Sequence, residues 1–166
     1  ACFFFPLTLL IMATLTTKLN AVNTMLGYIA EAPVNTIADT TAIPPSAAIA
    51  KGVLDEVSRE VQQTGWHFNT ARDYTLTANA SDNFVLPDNV LQVDAEDNTY
   101  DVVQRGDTLF DRKNYTDVFS NETLKVNITF LLEFEELPEQ ARRYITLKSA
   151  RMFANRLVGS REIESL

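Results

Sequence analysis

Few side chains in this sequence are placed to do chemistry, and each has a plainer use. Histidine occurs once, as His67 within Gly65-Trp66-His67-Phe68-Asn69. A general base needs a positioned partner and an electrophile beside it, whereas a histidine set among aromatic residues packs as a joint between structural elements. The serines Ser46, Ser58, Ser81, Ser120, Ser149, Ser160 and Ser165 occupy ordinary contexts, with no Gly-x-Ser-x-Gly elbow to raise one toward a base. The single cysteine, Cys2, leaves no disulfide framework and no Cys-rich zinc site.

Carboxylates offer more. Glycosidases hold two of them across one bond, and Glu133 with Glu135 would share a strand face at about 7 Å if the strand before them continues that far. That spacing supports an acidic-pair glycoside hydrolase as the alternative reading. Glu133, Glu135, Glu136 and Glu139 also precede or open a helix, where acids are favoured by the helix dipole without any catalysis. Asp94, Glu96 and Asp97 lack the Asp-x-Asp-x-Asp-Gly order of a calcium loop. No Gly-x-Gly-x-x-Gly or Gly-x-x-x-x-Gly-Lys run cradles a phosphate among only 5 glycines, so no cofactor is expected. Four sequons, at Asn79, Asn114, Asn121 and Asn127, together with strand aromatics, leave a carbohydrate-binding domain as a further reading.

The elements that would carry these residues follow from apolar spacing. Leu15, Leu19, Val22, Leu26 and Ile29 recur at three- and four-residue intervals, so residues 14–31 are expected as a helix capped by Thr14 and stopped by Pro33. Pro44-Pro45-Ser46 opens a second helix whose stripe is Ile49, Val53, Leu54, Val57 and Val61, ending at Gly65. A third runs from Pro138 to about Gly159. Its apolar residues spread round much of the circumference, predicting burial on more than one side, and Arg142, Arg143, Lys148, Arg151 and Arg156 make it basic.

Between the helices the period changes to two. Residues 124–134 alternate most clearly, and 74–77, 83–86, 90–93, 100–104 and 108–110 are shorter strand candidates separated by turns such as Arg105-Gly106-Asp107. Connections this short exclude crossover helices and predict antiparallel pairing. The expected class is therefore α+β: a discontinuous helical bundle from 13–68 and 137–166, with 69–136 inserted as an antiparallel β domain. Residues 1–12 are apolar but lack a basic lead, contain Pro6 and are too short to span a bilayer; no function is built on them.

With 46% hydrophobic and 22% charged residues the chain can build an ordinary folded core. A net charge of -8 opposes the phosphate gripping that gives tight nucleic-acid binding, while leaving nucleic acid free to slide past.

One long string is more specific. Val57-Ser58-Arg59-Glu60-Val61-Gln62 through Gly65-Trp66-His67-Phe68-Asn69 resembles the tail tubular protein A family, the adaptor or head-to-tail connector subunits of short-tailed bacteriophages. The likeness extends to Leu86-Pro87-Asp88-Asn89-Val90-Leu91, to the run from Val103 to Arg112, to Phe134-Glu135-Glu136-Leu137-Pro138, and to Ala141-Arg142-Arg143-Tyr144-Ile145. Leu19-Asn20-Ala21-Val22-Asn23 and the residues from Gly27 to Asn35 look like the family's first helix and its exit.

The resemblance implies a structural subunit and no enzyme. It implies a homo-oligomeric ring of about twelve copies between the portal protein and the tail nozzle of tail tubular protein B. The genomic DNA would pass through its channel without sequence-specific binding, and its outer region would help attach tail fibres. The location would be the virion tail, assembled in the host cytoplasm, with no membrane partner. Arg142, Arg143, Tyr144, Leu147 and Phe153 of the third helix are then expected to face a neighbouring subunit or the portal.

Overall fold

The computed structural model describes residues 14–39, 42–96 and 99–164, with side chains described as far as Leu157. The expectations placed on residues 1–12, including Cys2, and on Asp97, Ser160 and Ser165 lie outside these residues.

Among the described residues, three helices and two antiparallel sheets make a mixed α+β fold. Helix α1 spans Lys18–Tyr28. Its cap is Thr17, not Thr14: the Thr17 hydroxyl accepts the Asn20 N–H at 3.1 Å, and Leu15 stays exposed ahead of the first turn. Ala21, Val22, Met25 and Leu26 form its buried stripe. Beyond the helix, Asn23 pairs through both amide atoms with the Val34 backbone and folds the exit segment back.

Helix α2, Pro45–Gln63, begins with proline at its first turn, where the missing N–H is not needed. Ala47, Ala50, Val53, Leu54, Val57 and Val61 face inward, while Ile49, expected in the stripe, is exposed. The chain then turns at Gly65, whose φ of +77° lies in the left-handed region that glycine adopts without strain. Helix α3, Glu139–Glu164, packs against both other helices.

Strands β1 (Thr70–Thr77), β2 (Val90–Ala95) and β5 (Thr123–Phe130) form one sheet in the order β1-β5-β2. Strands β3 (Val102–Arg105) and β4 (Thr108–Asp111) make a separate hairpin. Two expectations need correction. Residues 83–86 are not a strand; only isolated bridges from Phe84 to Ala78 and from Val85 to Thr108 pair there. The long strand expected over 124–134 ends at Phe130, because the backbone then finds other partners: Leu131 N–H donates to Asn89 O at 2.7 Å and Leu132 N–H to Gln62 Oε1 at 2.8 Å. A 3-10 turn, Phe134–Glu136, follows.

Apolar side chains gather in two clusters. One unites the three helices with Phe134 and Leu137; the other joins Leu76, Phe84, Val93, Leu109, Leu124 and Ile128 of the strands and their loops. Where they meet, two buried amides do the joining. Gln62 donates to Leu132 O and accepts its N–H, and Asn69 donates to Gln62 O and Phe130 O while accepting from Trp66 N. These bonds replace the ladder that β5 gives up, giving Phe130 O and both polar groups of the Leu132 backbone partners at the junction.

Candidate functional site

The histidine and acids that could serve as catalytic groups by type are placed for other work. His67 is exposed, edge-on to Phe68 at 5.6 Å, and no carboxylate or hydroxyl holds its ring among the described residues. Glu133 and Glu135 do not share a strand. Glu133 caps the 3-10 turn reciprocally with Glu136, whose carboxylate accepts the Glu133 N–H at 3.0 Å. Glu135 Oε1 accepts Lys18 N–H at 3.1 Å. Glu139 takes the Thr16 N–H at 2.8 Å and its hydroxyl at 2.5 Å; those bonds hold its carboxyl below the ordinary range. Of the acids expected as a catalytic pair, Glu133 thus closes the 3-10 turn and Glu135 holds the start of α1, while Glu139 ties the residue before the α1 cap to the start of α3.

A buried acid that sequence reasoning passed over is Asp111. Burial pushes its carboxyl upward, but hydrogen bonds from Lys113 N at 2.9 Å, Asn114 Nδ2 at 2.5 Å and Asp101 N at 3.2 Å outweigh that and hold it low. It fixes the turn after β4 and has no open side for a substrate. Only its place before Arg112-Lys113-Asn114, a polar turn run, hinted at this use. Among the described residues no group of three histidine, cysteine or acidic side chains could hold a metal, and no helix is long and apolar enough to cross a membrane.

The five residues expected on an interface divide in two. Arg142 is buried, and its guanidinium donates to three backbone carbonyls: Leu137 at 2.7 Å, Thr16 at 2.9 Å, and Glu135. Phe153 is fully buried within the helical cluster. Neither offers anything outward, and the expectation for these two is corrected: the side of α3 that carries them is covered within the same chain, where α1 and α2 pack.

Arg143, Tyr144 and Leu147 point to solvent, with Tyr144 55% and Leu147 40% exposed. Their neighbours along the helix are Arg151 and Asn155, both exposed. On the flank toward α2, Lys148 pairs with Glu60 at 3.0 Å and Arg156 pairs with Glu56 through two bonds of 2.9 Å. These pairs lie across the helix contact and fix which face of α3 remains open. Glu56 is held below the ordinary carboxyl range by its bond to Arg156.

Beside Tyr144 lies a groove of about 440 Å³ walled by Trp66, Phe68, Pro138, Gln140 and Ala141. Trp66 stacks parallel to Phe68 with centroids 6.3 Å apart, and its indole N–H donates to Val61 O at 2.8 Å, which anchors a ring that is still 43% exposed. The groove and the open side of α3 make one continuous surface of aromatic, leucine and arginine side chains. Tryptophan, tyrosine and arginine are the types that dominate binding energy in protein interfaces. A surface of this composition suits contact with another macromolecule.

Comparison with known sequences gives the same direction. Residues 19–166 match the family described as Tail tubular protein. The chain is 33% identical over 147 residues to Tail tubular protein A of Klebsiella phage KP34, an alignment covering 86% of this chain and 74% of that protein.

Proposed function

The chain belongs to the tail tubular protein family, a structural component of the phage tail, and from that membership we propose that it is one subunit of the adaptor ring between portal and tail nozzle. The ring holds about twelve copies related by rotation, each making a head-to-tail contact with the next. Its channel passes the genomic DNA without gripping it, consistent with a net charge of -8. The portal protein lies on one side, tail tubular protein B on the other, and tail fibres attach at the outer region. Assembly takes place in the host cytoplasm before the tail is complete.

Within the subunit we assign 13–68 and 137–166 to a discontinuous helical body and 69–136 to an inserted β domain. The two apolar clusters support that division, as does the pair of amides, Gln62 and Asn69, that links them. The ring contact uses Arg143, Tyr144 and Leu147, which project from α3 and are exposed among the described residues.

The observation that carries this reading is the family match over nearly the whole described chain. Native mass spectrometry of the purified protein, alone and with its portal, tests it. A particle of about twelve copies, free or seated on the portal, is expected. A monomer that ignores the portal at all concentrations refutes it.

A further inference from the structure

The open side of α3 is cationic, and its arginines form no ion pair among the described residues. Arg143, Leu147 and Arg151 follow one another at four-residue spacing, so they form a single stripe along the helix. Neither arginine takes part in an ion pair or hydrogen bond among the described residues, in contrast to Lys148 and Arg156 on the α2 flank. Tyr144 and Leu147 supply an apolar centre between the charges; the carboxylate in line with the stripe, Glu139 four residues before Arg143, is already occupied by the Thr16 N–H and hydroxyl.

The opposite imbalance exists elsewhere in the same chain. Between residues 70 and 131, 11 acidic residues outnumber 5 basic ones. Asp82, Asp88, Asp94, Asp107, Asp117 and Glu122 are all exposed, and none is in an ion pair among the described residues. The acids of α2, by contrast, are matched within the chain: Asp55 by Lys18, Glu56 by Arg156 and Glu60 by Lys148. The helices have thus neutralised their mutual contacts, leaving exposed cations without ion pairs on α3 and exposed acids without ion pairs in the β portion among the described residues.

We propose that the α3 stripe of one copy docks against the acid-rich β portion of the next copy, giving the ring an electrostatically directed head-to-tail contact. This rests on the ring reading above and names the surface that the stripe meets. Two different patches in contact generate a chain of copies that closes when the rotation allows, as a self-complementary patch would not. Complementary charge selects the register and speeds encounter, while Tyr144, Leu147 and the Trp66 groove contribute the desolvated centre. Pairs of this kind at an interface rim weaken as salt screens them.

Zero-length carbodiimide crosslinking of an Arg143→Lys/Arg151→Lys variant, assembled on the portal from equal amounts of light and nitrogen-15-labelled protein, maps the contact. Links from positions 143 and 151 to acids within 70–131, carrying mixed isotopes, are expected. Arg143→Glu/Arg151→Glu should raise the concentration for half-assembly about tenfold or more at low salt, with the penalty shrinking toward ~0.5 M salt. A ring whose links run only to helix acids or to the portal overturns this inference alone, as does a charge-reversed protein that assembles unchanged. A protein that stays monomeric under every condition overturns both this inference and the ring reading.

Discussion

Replacing Gln62 with leucine tests whether the helix–sheet junction rests on the hydrogen bonds drawn through one buried amide. The side chain is fully buried, with Nε2 donating to Leu132 O at 3.0 Å and Ser58 Oγ at 3.1 Å, and Oε1 accepting Leu132 N–H at 2.8 Å. Leucine of similar size keeps the packing but strands both polar groups of the Leu132 backbone. An unmet buried group costs about 1–3 kcal/mol. Leu132 is only half-buried, so water recovers part of that loss, and the new apolar side chain returns about 1 kcal/mol. The net expectation is a destabilisation of about 2–3 kcal/mol, or a Tm lower by roughly 4–12 °C for a chain of this size.

Urea unfolding followed by circular dichroism measures the free energy, and amide hydrogen exchange reads Leu132 directly. Gln63→Leu, one residue along on the exposed side, controls for composition and should stay within about 0.5 kcal/mol of the parent. A Gln62→Leu protein as stable as this control, with Leu132 still protected from exchange, would refute the assignment of the junction to these bonds.

Other substitutions probe the remaining polar contacts. Ser149 is buried on α3 with a hydroxyl that has no hydrogen-bond partner, so Ser149→Ala should stabilise by about 0.5–1.5 kcal/mol in the same urea assay. Arg142→Met should destabilise by about 2–4 kcal/mol, because three carbonyls lose their donor, whereas Arg143→Met should leave unfolding within about 0.5 kcal/mol and act only on assembly. The carboxyl of Asp111 is held low in the folded chain, so its contribution is complete above the ordinary aspartate pKa of about 4 and disappears as pH falls through the lower folded value. The stability gap between parent and Asp111→Asn should accordingly be widest near neutrality and narrow in acid, as read by urea midpoints across pH.

Apolar spacing revealed where elements lie more readily than which core they enter. Leu124, Val126 and Ile128 alternate as a strand should and are buried in the sheet cluster. Leu132 and Phe134 continue the same alternation but belong with the helices, since a period of two records burial without naming the partner. The same limit explains α3. An apolar residue on each side of a helix reads as a surplus face, yet Phe153 is covered by the chain's own helices, and only Tyr144 and Leu147 lie on the uncovered sector. Long-range polar contacts left no periodic trace at all. Thr16 meets Glu139 at a separation of 123 residues and Gln62 meets Leu132 at 70, and nothing in the local sequence of either residue marks the partner.

The contrast between satisfied and unsatisfied polar groups carries the functional reading further than any single residue. Arg142, Gln62, Asn69 and Asp111 are buried and have their hydrogen-bonding atoms occupied, so they give the subunit a fixed shape and leave little for a partner to remodel. Arg143 and Arg151 are exposed, and an exposed ion pair contributes about 0–1 kcal/mol. Their value changes once a neighbour covers Tyr144 and Leu147, because charge pairs beside a dry apolar centre are screened less. In a closed ring, removal of one copy breaks two contacts at once, so each contact can be weak while the whole persists. Assembly should then depend steeply on both concentration and salt, with rigid subunits joining through one lightly built seam.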